Sequence, residues 1–321
     1  MFEMKAFLLG AGLGTRLRPL TSRLPKPLVP FFDRPLIRHA FDACREVGCD
    51  DFAINTHHLP AMWRDEIFGI GGKNWAPSGE RGGNGEEVIL GSVDDLPLRL
   101  FHEPELLETG GGLRNVRHWM GNEDVLVHNG DIFSSIDLKQ LIAAHRASGN
   151  VATLALRSEG TAKHLAWEAG SQRVLDIRNM LGRAPGTHVF TGIYCIHASL
   201  LDFLPEEPVV SVISAFLRLA EQGKLGGVLL DEGLWFDLGE RESYLDAHQI
   251  PGMPKPCGGR IAEGADVTSS IIGRNAEIGR GARLRNCVVW PGGKVADGAE
   301  LERCIVYSTD VASGCHYGAD L

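Results

Sequence analysis

Between residue 4 and about residue 250, short apolar runs alternate with segments whose apolar residues recur every three or four positions. Lys5–Leu9 reads as a strand. Leu36–Val47 reads as a helix that gathers Ile37, Ala40, Phe41 and Cys44 on one face. Asp51–Asn55 is a second strand and Ala61–Phe68 a second helix. Asp124–His128 reads as a strand running into Asn129-Gly130-Asp131, Leu138–Ala147 as a helix, and Ala152–Arg157 as another strand. Alternation at this spacing predicts an α/β fold: a mostly parallel sheet with helices on both faces. Residues 69–91 are so rich in glycine that a long mobile loop is expected there, and long loops are often functional.

After the Pro-rich stretch IPGMPKPCGG (250–259) the pattern changes. Ile261, Val267 and Ile272 are repeated by Ile278, Leu284 and Val289, and again by Val295, Leu301 and Val306, each set shifted by 17 residues. The Gly-Ala pairs at 264–265, 281–282 and 298–299 keep the same shift, as do Cys287 and Cys304. Three anchors per unit describe one triangular coil of a parallel β-helix, and about three coils fit. The chain therefore divides into residues 1–250, a linker at 251–260 and a coil region at 261–321.

A length of 321 residues agrees with two domains. The net charge of −9 argues against a nucleic-acid binder, which needs a basic face. No apolar run approaches the roughly 18 residues that cross a bilayer. The N-terminus, laced with Gly and Arg, does not read as a signal peptide. Seven cysteines with no Cys-x-x-Cys pair point to reduced thiols in a cytoplasm and to no zinc site.

The densest chemistry lies at 8–28, LLGAGLGTRLRPLTSRLPKPL. A phosphate-binding P-loop would end in Gly-Lys-Ser/Thr, which is missing. A dinucleotide fingerprint needs a third glycine where Thr15 stands, and Asp33 lies among Pro and Phe rather than after a second strand. A packing turn explains Gly10 and Gly12 but not Arg16, Arg18 and Lys26 just beyond them. A loop for a nucleoside triphosphate explains all of them. Glycines let the backbone approach the ligand, Arg16 offers a planar fork of donors, and Pro25 and Pro27 hold Lys26 in place.

The run G-A-G-x-G-T-R-L-x-P-L-T-x-x-x-P-K-P resembles the signature of the sugar-1-phosphate nucleotidyltransferases, the NDP-sugar pyrophosphorylases. The resemblance continues in Glu108-Thr109-Gly110-Gly111-Gly112, Asn129-Gly130-Asp131, Phe190-Thr191-Gly192-Ile193 and Trp235-Phe236-Asp237-Leu238-Gly239. With the coils it covers essentially the whole chain. It implies a Rossmann-like catalytic domain followed by a short left-handed parallel β-helix. The implied reaction is attack by a sugar 1-phosphate on the α-phosphate of an NTP, releasing pyrophosphate.

The resemblance assigns roles residue by residue. Arg16 would hold the pyrophosphate and Lys26 the α-phosphate, while Asp131 and Asp237 would bind Mg²⁺. Leu9, Gly10, Ala11, Gly12, Gly14 and Thr15, with Glu108, Thr109, Gly110 and Gly111, would contact the nucleotide. Asn129, Thr191, Gly192 and Trp235 would lie on the sugar-phosphate side. Many relatives carry Glu-Lys-Pro between the sugar-side strands; here the stretch reads Asp176-Ile177-Arg178-Asn179, so Arg178 stands for the lysine or is a surface arginine. The Glu108–Gly112 run looks like the N-acetylmuramate-1-phosphate uridylyltransferase form. A short β-helix is commoner in mannose-1-phosphate guanylyltransferases and glucose-1-phosphate enzymes. Sugar and base both stay open.

Two other functions compete with this one: an inactive regulatory subunit of the same fold, and a bifunctional enzyme whose coils also transfer an acyl group near His316. The intact set Arg16, Lys26, Asp131 and Asp237 speaks against the first, and three coils offer little groove for coenzyme A against the second. Cys287 and Cys304, one coil apart, are expected as a reduced, inward-facing ladder, because stacked strands lie closer than a disulfide prefers. The chain stops at Leu321 soon after the last repeat, so an open strand edge and a homo-oligomer built through the coils are expected. Removing residues 258–321 is expected to leave a soluble, partly active product.

Overall fold

The computed structural model describes residues 4–253 and 258–321; residues 254–257 of the expected linker, with Cys257, lie outside the described residues. The apolar run Met4–Leu9 is an interior strand of an eleven-stranded mixed sheet, which is not mostly parallel as expected: six of its ten neighbouring pairs run antiparallel, because hairpins build both of its flanks. It pairs in parallel with Cys49–Thr56 on one side and Asp124–Asn129 on the other. Successive side chains face opposite ways, so Phe7 enters one core and Ala6 and Leu8 the other. Apolar cores lie against both faces, which is why the middles of these strands are apolar.

Leu96–His102 extends the sheet in parallel, and Glu87–Val93 and Lys73–Arg81 complete that edge antiparallel. On the other flank His188–His197 runs antiparallel to Asp124–Asn129, followed by Lys163–Glu168, Arg173–Ile177, Leu225–Leu229 and Ala152–Arg157. The register aligns Leu9 with Asn55 and with Asn129. Three parallel strands thus end level, and the loops that leave them are all delivered to one edge of the sheet. That carboxyl edge is where ligands bind in such folds.

Leu36–Glu46 forms the first long helix and buries Ile37, Ala40, Phe41 and Cys44, as the periodicity requires. Two expectations change. Residues 69–91 are not a loop: Lys73–Arg81 and Glu87–Val93 form an edge hairpin. Trp75 lies flat over Gly72 and Gly91, where a Cβ would come within 2.2 Å of its ring, so these glycines make room for an indole. Ala61–Phe68 is not a helix either but a short 3-10 turn at Pro60–Arg64. The Asp65 carboxylate accepts the Ile67 and Phe68 N–H groups at 2.8 Å and stops it there.

The C-terminal repeat builds three parallel stacks of short strands, visited in turn by the chain. Ile261 pairs with Ile278 and that with Val295; Val267 with Leu284 and Leu301; Ile272 with Val289 and Val306. The 17-residue shift read in the sequence is therefore the stacking register. It breaks at the end, where Leu301 pairs with His316, and His316 bonds the Ser313 carbonyl. Ile261 is 52% exposed rather than an inward anchor, because it belongs to the terminal layer. Cys287 and Cys304 are buried free thiols.

The two parts share a core. Leu17, Leu20, Leu24 and Phe31 of the signature stretch pack with Tyr244 and Leu245, and with Ile271, Val288, Trp290 and Ile305 of the coils. Asp33, buried and left-handed at φ 67°, accepts the Arg274 backbone N–H at 2.9 Å and its Nε at 3.0 Å.

Candidate active site

The loop leaving Met4–Leu9 lines a cavity of about 310 Å³ with Leu9, Ala11 and Gly12; Asn55, Glu108, Thr109, Asn129, Ser211, Lys26 and Asp131 are among the rest of its wall. Gly10 is set back from this wall. A Cβ there would meet the Trp63 ring at 2.6 Å, so its glycine is demanded by packing. Gly14 is left-handed at φ 61°, and its carbonyl accepts the Thr21 hydroxyl at 2.8 Å. This turns the chain so that Lys26 comes back under the loop. Gly14 and Thr15 lie outside the cavity wall, and so does Arg16, whose exposed guanidinium pairs with Glu240 at 3.2 Å.

Gly110 and Gly111 also differ from expectation. Both donate their N–H groups to the Val210 carbonyl, at 2.8 and 3.0 Å, and Pro208 O crowds the Cβ position of Gly111 at 2.4 Å. They let the helix Glu108–Asn115 sit on the segment 205–211 rather than exposing backbone to a base. Glu108 and Thr109 do face the cavity, Glu108 with a left-handed φ of 58°.

Asp131 and Asp237 are distant in sequence and adjacent in space. Asp131 follows the strand Asp124–Asn129, while Asp237 ends a short strand, Trp235–Asp237, that pairs antiparallel with Ile132–Ser134. That two-stranded piece sets both carboxylates against Lys26. The buried Lys26 Nζ lies 2.5 Å from Asp131 Oδ2 and 3.6 Å from Asp237 Oδ1.

Beyond Asn129 is a second cavity of about 200 Å³, lined by Asn129, His164, Arg178, Thr191, Gly192, Trp235 and Asp237 among others. The Trp235 indole N–H donates to the Thr191 carbonyl at 2.9 Å, and the Thr191 hydroxyl is committed to Ala155 O at 2.9 Å. Thr191 therefore shapes the wall with its backbone and has no hydroxyl proton to spare. Arg178 is exposed and left-handed at φ 55°, with its backbone N–H on His164 O at 2.7 Å. Asp176 organises this turn by accepting the N–H groups of Ile177, Leu181 and Arg183. Burial raises its carboxyl, but these backbone donors outweigh burial and hold it below the usual carboxylate range.

Asn129 belongs to both cavities; Asp131 lines the first and Asp237 the second. The two cavities thus adjoin at Asn129, and the Lys26 ammonium in the wall of the first lies 2.5 and 3.6 Å from a carboxylate of each. A model of the nucleotidyl transferase family matches residues 5–251.

The chain belongs to that family. Its activity is sugar-1-phosphate nucleotidyl transfer, of the EC 2.7.7 type. A second family model, the GlmU-like C-terminal hexapeptide, matches residues 256–321. The chain is 29% identical to the mannose-1-phosphate guanylyltransferase of Mycobacterium tuberculosis, over 86% of this chain and 77% of that one. It is 26% identical to mannose-1-phosphate guanylyltransferase 1 of Arabidopsis thaliana, over 84% and 71%. In shape it resembles the UDP-glucose pyrophosphorylase of Acinetobacter baumannii, with a TM-score of 0.57 at 19% identity over 77% of this chain and 92% of that one. That likeness concerns the fold.

The sequence reading missed Asn55, Glu103, His164 and Ser211 around this nucleotidyltransferase site. Asn55 had a legible signal, a polar residue straight after the apolar run Phe52–Ile54, next to the end of its strand at the ligand-binding edge. His164 and Ser211 have none in their local sequence.

Proposed function

We propose that the enzyme joins a nucleoside triphosphate, held in the larger cavity, to a sugar 1-phosphate held in the smaller one. The carrying observation is Lys26 Nζ between Asp131, on the nucleotide side, and Asp237, on the sugar side. A phosphate oxygen of the sugar 1-phosphate attacks the α-phosphorus in line. The new P–O bond forms as the bond to the bridging oxygen breaks, and pyrophosphate leaves with that electron pair. Two anions are brought together, so positioning and charge neutralisation are the main tasks. Lys26 holds the α-phosphate, and Arg16 at the rim takes the pyrophosphate. Leu9, Ala11, Gly12, Glu108 and Thr109 contact base and ribose. Asn129, Gly192, Trp235 and Arg178 contact the sugar phosphate.

Mg²⁺ fits this donor set. Two partly exposed carboxylates converge on one point, and magnesium takes one or two protein carboxylates and completes its shell with phosphate and water. Among the described residues no group of three or more His, Cys, Asp and Glu competes with this pair. Bound there, Mg²⁺ supplies charge neutralisation on the phosphate oxygens.

Mannose 1-phosphate and GTP are the leading substrate pair, supported by the names of the relatives above at 26–29% identity. The test is pyrophosphate release over a grid of GTP, UTP and dTTP against mannose, glucose and N-acetylmuramate 1-phosphates. Fastest release with GTP and mannose 1-phosphate is expected, and a higher kcat/KM for another pair overturns the assignment. The three stacks read best as the faces of a left-handed parallel β-helix, which serves as the assembly surface of a homo-oligomer. The enzyme works in the cytoplasm, where its nucleotides and reducing conditions are found, with neither nucleic acid nor membrane as partner.

A further inference from the structure

Beneath the nucleotide cavity lies a polar cluster that the transfer itself does not use. Glu103 is fully buried, and a buried carboxylate is costly unless it is hydrogen-bonded. Its donors come from the two walls of the cavity. Asn55 Nδ2 donates to Oε1 at 2.8 Å, and the Leu107 backbone N–H donates to Oε2 at 3.1 Å. Asn55 in turn accepts the Gly10 N–H on its Oδ1 at 2.8 Å. The backbone of Glu103 is pinned as well, by its N–H on Thr56 O and its carbonyl on the His57 ring, each at 2.7 Å.

One side chain thus ties the glycine loop to the segment that starts the helix Glu108–Asn115. Gly112 borders the same cluster: a Cβ there would stand 2.9 Å from Asn55 Nδ2 and 3.1 Å from Glu103 Oε1. Burial pushes the Glu103 carboxyl upward, while the bonds from Asn55 and Leu107 favour its charged form.

We propose that Glu103 is a positioning residue for the nucleoside triphosphate, setting through Asn55 the gap between Leu9–Gly12 and Leu107–Thr109. The proposal rests on the nucleotidyl-transfer reading for the identity of the ligand. A glutamine cannot replace it, because its amide NH₂ would face Leu107 N–H or Asn55 Nδ2, donor against donor. A residue that merely stabilised the fold would affect both substrates alike, since the sugar cavity shares the same sheet.

The experiment is Glu103→Gln, with calorimetric titration of GTP, UTP and dTTP and with pyrophosphate release measured against each substrate. The nucleotide Kd and KM should rise about tenfold. The sugar 1-phosphate KM should stay within about twofold and kcat within about threefold. An unchanged nucleotide KM, or an equal rise for both substrates, overturns the proposal. If that variant does not fold, Gly112→Ala presses on the same two side chains while favouring the helix. A selective rise in nucleotide KM then supports the proposal and none overturns it. A wild-type enzyme that binds GTP, UTP or dTTP but releases no pyrophosphate with any sugar 1-phosphate refutes the transfer reading, with the titrations still deciding on Glu103. A wild-type enzyme that binds none of the three nucleotides refutes the Glu103 proposal.

Discussion

The Trp290 indole N–H donates to the Tyr244 hydroxyl at 3.0 Å, and that hydroxyl donates to the Pro30 carbonyl at 2.5 Å. Trp290 belongs to the coils and Pro30 follows the signature stretch that carries Lys26. Tyr244→Phe should strand a buried indole N–H and weaken the seat of Pro30, costing about 1–3 kcal/mol. For a chain of this size the melting temperature should fall by roughly 2–10 °C. Calorimetry checks it, and an unchanged melting temperature would show that the relay contributes nothing.

Removing residues 258–321 should do more than the sequence led one to expect. The cut would open the core in which Leu17, Leu20, Leu24, Phe31 and Tyr244 are buried together with Ile271, Val288, Trp290 and Ile305 of the coils. An apolar patch of that kind favours aggregation. The truncated chain should be insoluble or elute as large aggregates. A monodisperse product with a wild-type melting temperature would mean that the shared core is dispensable.

Lys26→Ala removes the cation between Asp131 and Asp237 and the donor placed for the α-phosphate. Loss of one preorganised donor costs about 10²–10³ in rate. The fall should appear in kcat at saturating nucleotide. A raised KM with unchanged kcat would assign Lys26 to binding alone.

Asp131→Asn and Asp237→Asn should each lower pyrophosphate release at least about 100-fold while leaving circular dichroism unchanged, because both carboxylates are partly exposed. Chelation by EDTA should silence the wild-type enzyme and added Mg²⁺ restore it. Full activity of either variant, or of the chelated enzyme, would remove the metal from these residues.

The alternation of runs and the repeated 17-residue unit were legible because each is a local period that the backbone imposes. Lys26, Asp131 and Asp237 were legible as pieces of a known signature, although nothing in their spacing tells that Trp235–Asp237 pairs with Ile132–Ser134 to set them side by side. The hairpin at Lys73–Arg81 and Glu87–Val93 was hidden, since its glycines mimic a loop until Trp75 is seen lying on two of them. Glu103 was hidden for a different reason. Its partners, Asn55 and Leu107, are single residues on other elements, and no periodicity connects them. The core that Leu17, Leu20 and Leu24 share with Ile271 and Val288 is likewise purely tertiary.

The same junction should make stability depend on pH. His248 is buried with Nδ1–H donating to Tyr244 O at 2.8 Å and Nε2 accepting the Phe32 N–H at 3.2 Å. Only the neutral ring makes both bonds. Burial lowers its pKa from 6.5 to about 4, helped by the charge of His39 and opposed by the Tyr244 carbonyl. His128, buried with Nδ1 on Asn129 O at 2.8 Å, is likewise lowered to about 4, chiefly by burial. Between pH 4 and 6.5 the unfolded chain binds protons at these rings that the folded chain refuses, so stability rises with pH through that window. It is fully present above pH 6.5 and declines as the pH falls toward 4. Each ring contributes about 3 kcal/mol across the window. The melting temperature should therefore be level near pH 7–8 and drop steeply below pH 6.5. His248→Gln should be less stable at pH 7 and lose less on acidification than the wild type. Parallel wild-type and variant curves down to pH 4.5 would show that folding does not lower the pKa of His248.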